Sequence, residues 1–288
     1  MKSKSLFASY LELTKPRILT LVLVTTVLGF YLGGEGISSL PLLIFLLLGV
    51  ALVSGGSSAL NHYLEREFDS KMQRTKNRPI PNGTIPPNYA LNFGITLTLS
   101  GIFLLYVKVN ILTAFLSLLT SFLYIMVYTP MKRSSWLNTT VGAIPGAIPP
   151  LGGWAAATGG LSFEAGILFL ILFIWQHPHF YAIAWMMRED YRRGGFKMLP
   201  VTEPDGRRMF NHVLWFSFAL IPVSLIPTVI GMSGSIYFTG VLIAGIILFM
   251  ISQRFARSRS LEDAKKLLRA TVVYLPVLLF LIIIDVSF

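Results

Sequence analysis

Oxygen-bearing side chains recur at every fourth position between residues 61 and 69. On a helix, Asn61, Glu65 and Asp69 would share one face, each one turn from the next. Three oxygen donors in a row suit Mg²⁺, which proteins usually hold through one or two carboxylates, leaving water and substrate phosphates to complete the coordination shell. The pattern predicts a metal site, while a solvated helix end with ion pairs such as Glu67 with Lys71 explains the same spacing without one.

Basic residues follow these oxygen donors directly and favour the metal interpretation. Arg74, Lys76 and Arg78 lie in the stretch RTKNRP. A metal-bound diphosphate also needs cations on its outer oxygens, and guanidinium groups supply paired N–H donors for them. Carboxylates for a metal beside cations for phosphate form a site that can ionise a diphosphate, because negative charge builds on the leaving group. The chain has no GxxxxGK[ST] motif of soluble nucleotide enzymes, which favours a diphosphate with an isoprenoid tail.

A second polar stretch, residues 175–200, offers a matching set of groups. Glu189 and Asp190 are candidates for a second metal position, and Arg188 is a further candidate phosphate contact. Adjacent residues on a helix diverge by about 100°. Both carboxylates can therefore serve one ion only if this segment is a loop, and we give Asp190 more weight than Glu189.

Two histidines precede this stretch inside an apolar segment, where ionisable groups are functional candidates. His177 and His179 are spaced i,i+2, which is wrong for one helical face and does not support a two-histidine metal site. A single imidazole as haem ligand or general base is one interpretation, and a histidine bonded to a neighbouring carbonyl is the other. We assign the remaining histidines, His62 and His212, to the membrane interface.

Aromatic and small residues also admit two interpretations. Tyr181, near the histidines, could shield an allylic cation by cation–π contact, or belong to an interfacial aromatic belt. Tyr124 and Tyr128 lie one turn apart and are candidates to face the same cavity. The stretch AIPGAIPPLGGW, residues 143–154, is either a cavity wall or a site of close packing through small residues.

The composition predicts the elements that must position these residues. Of 288 residues, 54% are hydrophobic and 13% charged, whereas soluble domains carry about 25% charged residues. Nine apolar runs approach the roughly 20 residues that a helix needs to cross a bilayer. They lie near 18–33, 40–60, 91–107, 111–129, 137–158, 163–185, 210–231, 235–252 and 270–288. The chain is therefore predicted to be an all-α integral membrane protein, and the lack of cysteine excludes disulfides and thiolate metal sites.

The basic residues also predict the orientation of the chain in the membrane. If nine helices alternate, all of the 24 basic residues except Lys108 fall on one side, which by the positive-inside rule is the cytoplasm. The N-terminus and the long loops are then cytoplasmic, and the C-terminus is outside. Topology thus explains the net charge of +11 without nucleic acid, and the first apolar run, which lacks a cleavage site, is expected to be retained as a helix.

Four stretches of the chain resemble the UbiA superfamily of intramembrane prenyltransferases, in family order and over most of its length. They are YLELTKPRI at 10–18, NHYLEREFDSKMQRTKNRPIPNG at 61–83, YTPMKRSSWLNTTVGAIPGAIPPLGGW at 128–154, and WQHPHF to REDYRRGGFKMLPV at 175–201. RTKNRP, then YT-x-x-KR and Pro-His-Phe, is more specific than N-x-x-x-D alone. The chain departs from the family in two places: Glu65 replaces the middle aspartate of the first motif, and the adjacent Glu189 and Asp190 replace D-x-x-x-D.

The resemblance implies one domain, residues 1–288, with about nine helices around a central cavity capped by acidic cytoplasmic loops near 61–90 and 186–209. It implies Mg²⁺ held by Asn61, Glu65 and Asp69, with Asp190 and Glu189 at the second motif. Farnesyl diphosphate would lose its diphosphate, the vinyl group of haem b would attack the allylic cation, and water would complete haem O. The implied diphosphate contacts are Arg74, Lys76, Arg78, Lys132 and Arg188; the implied haem contacts are His179 and His177; the implied cavity residues are Tyr124, Tyr128 and Tyr181.

The N-terminus is not an Arg-rich transit peptide, which favours a bacterial plasma membrane as the location. The resemblance implies haem A synthase or oxidase assembly proteins as candidate partners. Two alternatives remain at this stage. One is a prenyltransferase with an aromatic acceptor such as 4-hydroxybenzoate, against which the Pro-His-Phe stretch and the missing D-x-x-x-D speak. The other is a lipid or metabolite carrier. Carriers place charged coupling sites near the midplane of broken helices, whereas the acids here cluster at one surface.

Overall fold

The computed structural model describes residues 5–286, and helices make up nearly all of that part of the chain. Lys2 and Lys4, two of the basic residues from which the orientation is predicted, lie outside the described residues, as do the last two residues of the ninth predicted run, 270–288. In chain order the helices are α1 (Leu6–Leu13), α2 (Pro16–Gly33), α3 (Leu40–Asp69), α4 (Pro87–Lys108), α5 (Ile111–Phe122), α6 (Thr129–Ser134), α7 (Asn138–Ala147), α8 (Pro149–Thr158), α9 (Phe163–Met186), α10 (Arg188–Arg193), α11 (Leu199–Thr202), α12 (Arg207–Val229), α13 (Ser235–Ser258) and α14 (Leu261–Ile284).

Eight helical segments in the described part are long and apolar enough to cross a bilayer. Seven are the single helices α2, α3, α4, α9, α12, α13 and α14. The eighth, Ile111–Ser134, joins α5 to α6 through a π-helical segment, Leu123–Tyr128. The fifth predicted run, residues 137–158, is two helices of ten residues each, α7 and α8, which meet at Ile148 just before Pro149. The all-α membrane architecture is confirmed, with a count of nine only when this broken pair is included.

Capping serines and first-turn prolines, which can be recognised in the sequence, set several helix boundaries. Ser39, Ser162 and Ser260 cap α3, α9 and α14, since each hydroxyl accepts a hydrogen bond from a first-turn amide. Proline occupies the first turn of α2 and of α4, where its missing N–H costs nothing. α3 is 30 residues long, longer than a bilayer requires. Its last turns therefore carry Asn61 to Asp69 beyond the most apolar part of the helix.

Two pairs of helices pack with their backbones nearly touching. A Cβ at Gly29 of α2 would overlap the carbonyl of Pro150 in α8, and a Cβ at Gly153 of α8 would overlap the carbonyl of Thr26 in α2. α3 and α4 meet similarly, where a Cβ at Gly56 would lie 2.7 Å from the Gly94 oxygen. Small residues permit such approaches between membrane helices. For the AIPGAIPPLGGW stretch the structure therefore supports the close-packing interpretation.

Candidate active site

The three oxygen donors of α3 lie on one buried face of the helix. Asn61 and Asp69 are fully buried and Glu65 is 5% exposed. The Asn61 amide nitrogen donates to Thr129 Oγ1 at 3.0 Å, which leaves the amide oxygen to face the site. The backbone carbonyl of Asp69 accepts a hydrogen bond from Thr75 Oγ1 at 2.9 Å, which holds the start of the following loop against the end of α3. The shared face expected from the i,i+4 spacing is present.

Each of these three side chains is held by one cation from a different part of the chain. The lysines come from the α1–α2 junction and from α6, and the arginine comes from the loop after α3. The pairs are Lys15 Nζ with Asn61 Oδ1 at 2.7 Å, Lys132 Nζ with Glu65 Oε1 at 2.7 Å, and Arg78 with Asp69 Oδ2 at 2.6 Å. Three cations thus converge on two carboxylates and an amide in a mostly water-free interior.

Lys15 is a residue that the sequence interpretation did not assign to the site. It is the N-cap of α2 and adopts left-handed backbone angles, φ 50° and ψ 63°. A lysine before proline rarely takes that conformation, and such strain concentrates at functional sites. The residue is partly exposed, and its ammonium contacts Asn61 and Tyr124. Burial, with nearby Arg78 and Lys132, lowers the pKa of Lys15 to about 7. The available signal was the TKPRI stretch, whose lysine precedes a helix-starting proline.

Two tyrosines line the same interior from the π-helical segment. Tyr124 and Tyr128 stack with ring centroids 5.8 Å apart. The Tyr124 hydroxyl accepts from Lys15 at 3.1 Å, and the Lys132 ammonium lies 4.5 Å from the Tyr128 ring centroid. π-Helical turns are rare and occur frequently at functional sites. Both predicted cavity tyrosines therefore lie beside the cations that hold α3.

The loop after α3 separates the three basic residues of RTKNRP. Arg78 reaches Asp69, as described above. Arg74 is exposed and its guanidinium lies 5.9 Å from the ring centroid of Tyr191, while Lys76 is exposed to solvent. Of the three, only Arg78 lies at the buried face of α3. The other two lie at the outer surface of the loop.

The carboxylates of α10 point in different directions. Asp190 accepts from the backbone amides of Gln73 and Arg74, at 3.1 and 3.0 Å, and so fixes the loop after α3. Glu189 is 60% exposed and pairs with Arg192 at 2.6 Å. The two diverge because α10 is a helix rather than the loop that shared ligation requires. The expectation that Glu189 joins Asp190 at one metal position disagrees with this arrangement. Arg188 lies over the Trp185 ring at 4.4 Å.

The two histidines of α9 face different neighbours, as their spacing predicts. His177 is fully buried; its Nδ1 donates to the Phe173 carbonyl at 2.8 Å, and its ring stacks on Phe216 with centroids 3.6 Å apart. His179 is partly buried, stacks on Trp175, and has its Nδ1 2.9 Å from Thr271 Oγ1 on α14. Both ring nitrogens of His177 are therefore hydrogen-bonded, since its Nε2 lies 3.3 Å from Thr140 Oγ1, whereas His179 bonds through Nδ1.

Both histidines that we assigned to the interface lie in more specific places. The ring of His212 contacts Tyr181, with 3.0 Å between Nδ1 and the tyrosine hydroxyl, so Tyr181, His212 and His177 form one group. His62 is only 2% exposed. The interfacial assignment of His62 is therefore wrong: it neighbours Asn61 in the buried part of α3, where the period of the helix keeps it inside.

Three buried side-chain atoms have no hydrogen-bond partner within residues 5–286. They are both ring nitrogens of His62 and Asp69 Oδ1. Buried polar atoms are nearly always satisfied in folded proteins, and exceptions often mark a place for a ligand, ion or water. All three belong to the last turns of α3. The last turns of α3 are therefore a place where a ligand, an ion or a water molecule would find unused hydrogen-bonding groups.

The chain matches a family described as the UbiA prenyltransferase family over residues 22–280. Proteins named "Protoheme IX farnesyltransferase" are similar along nearly their whole length. The one from Solibacter usitatus is 45% identical, covering 96% of this chain and 98% of the relative. The one from Salinibacter ruber is 43% identical, covering 96% of this chain and 98% of the relative. The one from Aquifex aeolicus is 38% identical, covering 98% of this chain and 96% of the relative.

Solved structures share the fold at low sequence identity. A digeranylgeranylglyceryl phosphate synthase superposes with a TM-score of 0.82 at 17% identity, covering 97% of this chain and 98% of that one. A UbiA homolog from Archaeoglobus fulgidus bound to DMAPP and Mg²⁺ gives a TM-score of 0.70 at 16% identity, covering 94% and 99%. Helix arrangement is thus common to chains whose sequences have diverged widely.

Proposed function

The chain belongs to the UbiA prenyltransferase family, and from that membership we propose that it transfers the farnesyl group of farnesyl diphosphate to haem b. The vinyl group of haem b takes up the farnesyl group and water adds, which gives haem O. The observation that carries the proposal is the buried face of α3, with Asn61, Glu65 and Asp69 each held by a cation. The named activity of relatives up to 45% identical supports the choice of substrates.

We propose Mg²⁺ as the metal of this site, held by the oxygens of Asn61, Glu65 and Asp69. The donor set fits, since it offers two carboxylates and one amide oxygen to a cation that prefers oxygen ligands. Asp69 Oδ1, buried and without a partner, supports the fit. When bound, Mg²⁺ neutralises charge on the departing diphosphate. Asp190 contributes by holding the loop after α3 through Gln73 and Arg74.

The cations that now hold α3 are the proposed diphosphate contacts. Lys15, Lys132 and Arg78 would turn from the oxygens of α3 to those of the substrate, because a diphosphate offers them more negative charge. Arg74, Lys76 and Arg188 lie further out and are candidates for the outer oxygens. The stacked rings of Tyr124 and Tyr128 present aromatic faces that stabilise an allylic cation and exclude water from it.

For haem, we propose His179 as the iron ligand. An imidazole that ligates iron typically donates its other N–H to an oxygen acceptor, as His179 Nδ1 can to Thr271. His177 has both ring nitrogens hydrogen-bonded, to the Phe173 carbonyl and to Thr140, and stacks on Phe216, so we propose that it, with Tyr181, lines the acceptor side of the site.

His179→Ala is expected to weaken haem binding at least about tenfold while farnesyl diphosphate binding stays unchanged, because the histidine lies away from α3. A haem absorbance titration, run beside calorimetry with the diphosphate, measures both affinities. His177→Ala serves as the comparison for a buried histidine. Loss of both affinities in His179→Ala would identify a structural histidine instead.

The proposed function is tested by incubating the purified protein in detergent with haem b, farnesyl diphosphate and Mg²⁺. Mass spectrometry of the haem should show a gain of one farnesyl group and one hydroxyl group, the second proton of the water leaving with the diphosphate, and EDTA should abolish this gain. Prenylation of 4-hydroxybenzoate without any change in haem would support the proposed diphosphate site and contradict haem b as the acceptor. A protein inert toward every acceptor would point to a carrier.

We propose the plasma membrane as the location, with the N-terminus cytoplasmic. The last turns of α3, the loop after it and α10 then form the cytoplasmic surface, where a soluble diphosphate leaving group can escape. Haem A synthase and oxidase assembly proteins are proposed partners, because a product as apolar as haem O needs a nearby acceptor.

A further inference from the structure

His62 is a buried histidine with no hydrogen bond at either ring nitrogen. It is 2% exposed, and neither Nδ1 nor Nε2 has a partner within residues 5–286. A neutral imidazole carries one N–H donor and one lone pair, so one of each is left unused. Burial without a partner destabilises the fold. A histidine kept only for packing would be expected to bond to a neighbouring group, as His177 does with Phe173.

The position of His62 on α3 directs its ring toward the site. It lies seven residues, or nearly two full turns, before Asp69, and one turn before Glu65. Residues at such spacings share a helix face. Asp69 Oδ1, the third buried atom without a partner, is therefore on the same face as the imidazole.

Three cations lie close enough to His62 to act on its ring electrostatically. They are the ammonium groups of Lys15 and Lys132 and the guanidinium of Arg78, which come from the α1–α2 junction, α6 and the loop after α3. Lys132 pairs with Glu65 and Arg78 pairs with Asp69, on the same helix as His62. An anion bound beside the ring would share these cations with the two carboxylates and would accept the unused N–H of the imidazole.

We infer that His62 is a further substrate contact, whose ring N–H donates a hydrogen bond to an oxygen of the bound diphosphate. This inference rests on the proposed function, since it needs a diphosphate at the buried face of α3. The imidazole takes part through this hydrogen bond and transfers no proton. Its contribution is to orient the diphosphate and to stabilise the negative charge that grows on it as the bond to the prenyl carbon breaks.

The test compares His62→Leu with His62→Gln, because glutamine keeps an N–H donor of similar reach and leucine keeps only the volume. Inorganic pyrophosphate with Mg²⁺ is titrated into each purified full-length variant in detergent, and thermal unfolding is recorded without ligand. His62→Leu is expected to bind pyrophosphate at least about tenfold more weakly, since a hydrogen bond to a charged oxygen is lost. His62→Gln should recover part of that affinity.

The unfolding temperature separates this role from a structural one. His62→Leu removes an unpartnered buried polar group, so its unfolding temperature should equal or exceed that of the wild type. Ser217→Ala, which breaks the buried hydrogen bond to Ser252 far along the chain, is the control and should leave pyrophosphate binding unchanged.

The outcomes distinguish the inference from the function on which it rests. Wild-type affinity in His62→Leu would overturn the inference and leave the diphosphate site intact. Weaker binding accompanied by a lower unfolding temperature in both His62 variants would identify a structural histidine and overturn it as well. A wild-type protein that does not bind pyrophosphate with Mg²⁺ would contradict the proposed function, and the inference with it.

Discussion

Asp69→Asn is expected to slow farnesyl transfer by about 10²-fold or more, the usual effect of removing one group that stabilises transition-state charge. The substitution keeps the shape of a fully buried side chain and leaves one oxygen to accept from Arg78. It replaces the other oxygen with an NH₂ group and removes the negative charge, and an NH₂ group does not ligate a divalent cation. The protein should therefore fold and yet lose turnover.

The measurement is the rate of haem modification at increasing Mg²⁺ concentration, with the unfolding temperature of each variant recorded in parallel. Glu67→Gln is the matched control, because Glu67 is also a carboxylate near the end of α3 but is 72% exposed and pairs only with Arg66. It should retain wild-type turnover. A rate in Asp69→Asn equal to that of Glu67→Gln would remove Asp69 from the proposed metal site.

Lys15→Met is expected to raise the KM for farnesyl diphosphate by about tenfold to 100-fold, because a charge-assisted contact is worth about 1.5–3 kcal/mol. Methionine preserves the length and apolar stem of the side chain. Lys15 is one of only three cations at the buried face of α3 among the described residues, so the rest of the site is poorly able to replace it.

The comparison variant is Lys71→Met, which removes a lysine from the loop after α3. Lys71 is exposed and lies over the Phe68 ring, 5.7 Å from its centroid. Its removal should leave KM unchanged, whereas both variants lose the same net charge. If the two variants raise KM equally, the effect is one of general electrostatic attraction, and Lys15 is not a specific contact.

The part of the site that could be predicted from sequence is the part built from local periodicity. The i,i+4 spacing places Asn61, Glu65 and Asp69 on one face of α3, and the apolar runs give nearly every membrane-spanning helix. Both predictions succeed because the side-chain positions around a helix depend only on spacing along the sequence.

What sequence could not give depends on contacts distant in the chain. Lys15 meets Asn61 across 46 positions, and the left-handed turn that directs it inward has no reliable sequence signal for a residue other than glycine. Asp190 has the residue type of a metal ligand, but its carboxylate oxygens accept hydrogen bonds from the backbone amides of Gln73 and Arg74. Composition reveals a carboxylate, whereas only the fold reveals which donors reach it.

The three cation pairs on α3 have a thermodynamic consequence for the order of events at the site. A divalent ion that binds without a diphosphate must replace Lys15, Lys132 and Arg78 at the oxygens of α3. The three cations would then stay in the interior without the anion that a diphosphate supplies. A diphosphate that arrives alone must draw these cations away from Glu65 and Asp69, which leaves buried carboxylates exposed to one another. In the proposed site the diphosphate would pair with the three cations while the metal ion takes the oxygens of α3, so each is expected to raise the affinity for the other by the same factor. We therefore expect the two to bind together strongly and either one alone to bind weakly.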